Sequence, residues 1–148
     1  MKNARTYLSV GFVAMALSLG ACSLMLASNV TALNAKLSAA NEVPAKVSGG
    51  SGMLEASLDK PTNTLVWTVT YSGLTGPVKA GHFHGPATAG TNAGVVLGFS
   101  GNLESPIKGS AVLTATQAAD VMAGKWYVNL HTAANPGGEV RGQMMIAK

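Results

Sequence analysis

The segment TLVWTVTYSG, residues 64–73, restricts the fold more than any other part of the chain. It is crowded with β-branched and aromatic side chains, which suit a pleated sheet. The segment before it, SGMLEASLD, alternates. Leu54, Ala56 and Leu58 take one side, and Glu55, Ser57 and Asp59 take the other. A period of two marks a strand with one buried face. The KPTN between the two segments supplies a turn.

The same grammar runs along the chain. LNAKLSAANEVP reads as an N-terminal strand ending at Pro44, VKAGHFH and GVVLGF as short strands, and SPIKGSAVLT as one or two more. KWYVNLHT and GEVRGQMMIA close the chain. One segment departs from this pattern. In TATQAADVMAG, residues 114–124, Thr114 and Gln117 fit a capping box and Gly124 fits a C-terminal cap, so a short helix is expected. The fold class is therefore all-β: an antiparallel β-sandwich or partly closed Greek-key barrel of 7–8 strands with one short helix. Gly94, Gly137 and Gly138 are expected to relieve turn strain.

The first residues have a separate role. Lys2 and Arg5 precede the apolar run YLSVGFVAMALSLGACSLMLA, and small residues follow, which is the pattern of an export signal. The run approaches the ~20 residues that span a bilayer, so a retained anchor is the competing reading. Two cuts are open. LGAC, Leu19 to Cys22, resembles a bacterial lipobox, giving a signal over 1–21 and a lipidated Cys22. An ordinary cut after Ala32 gives a signal over 1–32; Ala35 is a further option. Residues 33–148 form the mature domain. Export leads to the periplasm or outer membrane as a lipoprotein, with membrane contact through the lipid anchor, or otherwise to secretion.

Charge and cysteine content exclude several functions. From Leu33 onward there are eight Lys or Arg and six Asp or Glu, so the domain is near +2. No basic run interleaved with aromatics suggests nucleic acid. Cys22 is the only cysteine, so the mature domain can have no internal disulfide and no cysteine nucleophile. There is no GxSxG elbow, GxxxxGK[ST] loop or GxGxxG fingerprint, so neither a serine hydrolase nor a nucleotide cofactor is indicated.

Histidine carries the strongest chemical signal. The chain has three: His82 and His84 in HFH, and His131 in YVNLHT. Residues two apart on a strand share a face. His82 and His84 therefore point one way and Phe83 the other. Tyr127, Asn129 and His131 oppose Trp126, Val128 and Leu130. Both strands can bury their apolar faces and turn the histidines outward. If the strands meet, three imidazoles converge on a metal site, with Cu(II) ahead of Zn(II). The competing reading is a hydrogen-bond network that ties down the following loop. Met144 and Met145 could be soft ligands, but they lie in an apolar strand. Glu42, Glu139 and Arg141 are expected to form internal ion pairs pinning strand ends, with Glu139 alternatively supporting a histidine. Asn129 is expected to bond backbone.

Several motifs in this order resemble the CHRD domain family, named after chordin: LSAANEVP, GSGMLEASLD, VKAGHFHGPATAGTNAGVVLGF and GKWYVNLHTAANPGGEVRGQM. The resemblance spans Lys36 to Met145. It implies a secreted or cell-surface β domain with no settled biochemical activity. On the family pattern the EVP glutamate falls on Glu42 and the HxHxG histidines on His82 and His84. The YVNxHT histidine falls on His131, and the GExRGQ pair on Glu139 and Arg141. A fainter likeness links HFHG to the copper ligands of copper/zinc superoxide dismutase, but a bridging histidine, a zinc loop and a disulfide are all missing. The function expected is a noncatalytic extracytoplasmic metal-binding domain. The alternatives are an envelope adhesion or protein-interaction module without metal, its partner unknown, and a copper-dependent oxidoreductase.

Overall fold

The computed structural model describes residues 29–148; the basic start, the apolar run and Cys22 lie outside them. Nine strands and one helix follow in the order β1 (Val30–Ser38), β2 (Ser51–Asp59), β3 (Thr64–Ser72), β4 (Val78–His84), β5 (Val95–Gly98), β6 (Ile107–Val112), α1 (Ala115–Met122), β7 (Tyr127–Thr132), β8 (Val140–Gln143) and β9 (Met145–Ile146). All described pairings are antiparallel. The strands form one curled sheet in the order β5-β4-β7-β8-β1-β2-β3-β6, with β9 paired to β1. This is the half-barrel form of the expected all-β fold.

A single residue pair, Ser38 opposite Arg141, joins β8 to β1. The strands on either side of that junction curl toward each other and enclose the core. Trp67 from β3 meets Phe83 from β4 edge to face at 5.3 Å, a preferred aromatic geometry. Phe99 and Trp126 extend the cluster. Leu54, Leu65, Val69, Val128 and Leu130 are buried completely. The alternation in SGMLEASLD appears as expected, with Leu54 and Leu58 in the core and Glu55 exposed.

Three local readings need correction. The first strand stops at Ser38, well before Pro44, because Ala39–Asn41 tighten into a 3-10 turn. The Ala39 carbonyl then accepts from the amides of Glu42 and Lys46. The last segment splits in two because the Met144 amide donates to the Trp126 carbonyl and its side chain enters the core. Of the three glycines assigned to strained turns, Gly138 has φ +122, whereas Gly94 and Gly137 have no positive φ. The helix matches its expected caps: the Thr114 hydroxyl accepts from the Gln117 amide, the Gln117 side chain accepts from the Thr114 amide, and Gly124 follows at φ +68.

Candidate metal centre

Strands β4 and β7 are neighbours, with His82 opposite Asn129, His84 opposite Tyr127 and Ala80 opposite His131. The face opposite Phe83 and Leu130 therefore carries all three histidines, as strand parity requires. Each offers one ring nitrogen, and those nitrogens lie within 4.8 Å of one another. His82 Nδ1 is 3.0 Å from His131 Nε2. His82 and His131 are half-buried, while His84 is only 9% exposed. The expectation that all three face outward thus fails for His84, because the loop after β4 folds back over it.

Two backbone carbonyls fix the tautomers. His84 Nδ1 lies 3.0 Å from the Ala93 carbonyl, and His131 Nδ1 lies 2.9 Å from the Pro136 carbonyl. A carbonyl only accepts, so both Nδ1 atoms carry the proton and both Nε2 atoms present a lone pair. His84 Nε2 is buried with no hydrogen-bond partner. An unpaired buried acceptor costs roughly 1–3 kcal/mol unless something fills the place. Burial, then the charges of His131 and His84, lower the His82 pKa below 6.5. Burial also lowers His131, which the Pro136 carbonyl partly offsets. Both shifts favour the neutral imidazole that metals require.

The loop of residues 85–94 is held by side chains. Arg141 donates to the Thr91 carbonyl at 2.6 Å and to Asn92 Oδ1 at 2.9 Å. Asn92 donates to the Val43 carbonyl, and Gln143 donates to the Ala87 carbonyl. The Ala93 amide donates to the Tyr127 hydroxyl. His84 thus anchors this loop through Nδ1, while its Nε2 has no hydrogen-bond partner.

The geometry also decides the other polar assignments. Arg141 and Glu139 form no ion pair; among the described residues the side-chain ion pair is Lys125–Asp120 at 3.9 Å. Glu139 instead accepts from the hydroxyls of Ser48, Thr75 and Thr132, each at 2.6 Å, and from the Thr75 amide at 2.8 Å. Burial pushes its pKa up, but those bonds outweigh it and hold the carboxyl at about 2. No histidine is among the hydrogen-bond partners of Glu139, and it clamps the β2 approach and the turn after β3 to the β7–β8 connection. Asn129 faces side chains rather than backbone, with Oδ1 2.9 Å from His131 Nε2. Met144 is fully buried in the core and unavailable as a ligand, while Met145 lies on β9 against the helix-terminal Gly124.

Sequence reasoning missed Tyr127 as part of the site. Its ring stacks on His84, and the Arg141 guanidinium carbon sits 3.4 Å from its centroid. The signal was present, since Tyr127 shares strand parity with His131. A cavity of about 300 Å³ lies nearby, lined by Glu42, Val43, Gly90, Arg141 and Gln143. No histidine lines it, so it is separate from the three-imidazole cluster on the β4–β7 face.

A family model for the CHRD domain matches residues 33–144. This chain belongs to the CHRD domain family. The match covers every strand of the CHRD domain that carries a histidine, together with Glu42, Glu139 and Arg141. No curated protein and no solved structure matches the chain.

Proposed function

We propose that this CHRD domain is a noncatalytic extracytoplasmic metal-binding module that takes copper ahead of zinc through His82, His84 and His131. The observation that carries this reading is the buried, unpartnered His84 Nε2 beside two further imidazole nitrogens. With Nδ1 engaged by the Ala93 carbonyl, that lone pair is committed to whatever occupies the cluster. Imidazole donors without thiolate suit Cu(II), which also binds a given nitrogen site more tightly than Zn(II). The exposed large apolar residues are distributed over β1, β3, β5, β6, β9 and the loop at Val47, which does not favour an adhesive patch.

Export to the cell envelope is the second part of the proposal. A cut after Ala35 would delete Leu33 and Ala35, which are 2% and 3% exposed in the core. A cut after Ala32 would remove the paired residues Val30 to Ala32 of β1. A cut before Cys22 preserves the whole strand and leaves a cysteine to carry lipid. This supports a lipoprotein of the periplasm or outer membrane over a freely secreted form.

The deciding experiment titrates metal-free protein with Cu(II) and Zn(II), alongside the His82→Ala, His84→Ala and His131→Ala variants. Affinity should fall in each variant, with Cu(II) preferred in the parent. Unchanged affinity in all three removes the site.

A further inference from the structure

The acceptors around His131 outnumber the protons available to them. His131 Nδ1 gives its proton to the Pro136 carbonyl, so neutral His131 has only a lone pair at Nε2. That lone pair faces His82 Nδ1 at 3.0 Å and Asn129 Oδ1 at 2.9 Å. His82 can donate its Nδ1 proton to Nε2. The amide oxygen cannot donate, so the Asn129 contact brings two acceptors together with nothing between them.

Rotating the amide would relieve this contact, but the other side of Asn129 opposes rotation. A Cβ at Gly138 would lie 2.5 Å from Glu42 Oε1 and 2.8 Å from Asn129 Nδ2, so these two atoms flank the same point. The absence of a side chain at Gly138 leaves room for that approach. The Glu42 carboxyl is only 6% exposed and its Oε1 has no hydrogen-bond partner; burial raises its pKa, against the lowering effects of the Arg141 charge and the Asn129 amide. A carboxyl oxygen at that point favours the NH₂ end of Asn129 over its oxygen, and this orientation turns Oδ1 toward the imidazoles.

Edge lengths add a second argument. Donors bonded to a metal at about 2.0 Å lie roughly 2.8 Å apart when adjacent in a square plane and roughly 3.3 Å apart in a tetrahedron. The Asn129–His131 and His131–His82 separations, 2.9 Å and 3.0 Å, are nearer the square-planar value, and the histidine nitrogens, spread over as much as 4.8 Å, would draw in around the ion. Binding would shift the His82 proton to Nε2 and release it from Nδ1.

We propose that Asn129 Oδ1 is the fourth ligand of this centre, held toward the imidazoles by Glu42 and completing a tetragonal three-nitrogen, one-oxygen set suited to Cu(II). This rests on the three-histidine reading above. It also closes the fourth equatorial position, which separates a site that holds copper from one that turns over substrate.

The test is electron paramagnetic resonance of the Cu(II)-loaded protein in ordinary and ¹⁷O-labelled water. The same measurements are made on Asn129→Leu and Asn129→His, each checked for folding by circular dichroism. The parent should show no broadening from equatorial labelled water. Asn129→Leu should admit water and show that broadening, with Cu(II) affinity reduced about 10-fold or more. Asn129→His should give a four-nitrogen spectrum. Broadening already present in the parent, or an Asn129→His spectrum identical to the parent's, overturns the fourth ligand. If His131→Ala still abolishes binding in that case, the three-histidine centre stands without Asn129. If no histidine variant alters binding, both readings fail together.

Discussion

The imidazole of His84 lies parallel to the ring of Tyr127, with 4.8 Å between centroids and 2° between planes. The two residues are directly opposite across β4 and β7, and Arg141 from β8 caps Tyr127. A strand-to-strand stack therefore joins a candidate ligand to the cation that holds the covering loop. Tyr127→Leu should lose both the stack and the cap. We expect weaker Cu(II) binding and about 2–3 kcal/mol of lost stability. Tyr127→Phe keeps the ring and loses only the hydroxyl contacts with Ala93, so about 1 kcal/mol is expected. Urea unfolding of the two variants separates ring from hydroxyl, and equal losses would contradict the stacking argument.

Arg141→Lys should behave as a disruptive change. Lysine retains the charge but cannot place planar donors on the Thr91 carbonyl and Asn92 together, nor stack in the same way on Tyr127. Amide exchange in residues 85–94 should accelerate at least 10-fold while the β2–β3 hairpin keeps its protection. Uniform acceleration across the domain would indicate global destabilisation instead.

Glu139→Gln tests the hydroxyl clamp. The folded carboxyl sits at about 2, below its ordinary 4.5, so the folded state binds fewer protons than the unfolded chain between those values. The stabilisation is complete above about pH 4.5 and disappears as pH falls through about 2. At pH 7 the variant should be less stable by about 3 kcal/mol. That gap should narrow in acid, and a gap independent of pH would remove the charge from the explanation.

The histidines should give apo stability a second acid slope. His82 and His131 titrate below 6.5 in the fold, so on acidification the unfolded chain takes up protons first. Stability is full above about pH 6.5 and declines as pH falls toward the depressed values. Glu42 contributes with the opposite sign, because burial raises its pKa above 4.5. Comparing metal-free parent with His82→Gln between pH 7 and pH 5 isolates the histidine part. The parent should lose stability more steeply, and parallel curves would contradict the burial argument.

Parity was legible in the chain. The pattern of HFH and YVNLHT put Phe83 and Leu130 inward and all three histidines on the opposite face, because a strand's period of two is a local property. The helix caps at Thr114 and Gln117 were legible for the same reason. The fates of Glu139 and Arg141 were not. Their opposite charges two residues apart suggested ion pairing, yet Glu139 points to hydroxyls from Ser48, Thr75 and Thr132, and Arg141 to Tyr127, Thr91 and Asn92. Those partners are distant in sequence, and only the curled sheet brings them together.

The sequence by itself determined an all-β chain, its single short helix, its family and the shared face of each histidine. The fold class, the helix and the shared faces follow from nearest-neighbour sterics and local periodicity, and the family from the order of several motifs. Tertiary structure alone decided that β4 lies beside β7, that the loop of residues 85–94 covers His84, and that the Ala93 and Pro136 carbonyls take the Nδ1 protons. Strand order and loop closure depend on how distant segments bury their apolar faces together. That choice left two Nε2 lone pairs, of His84 and His131, in one place.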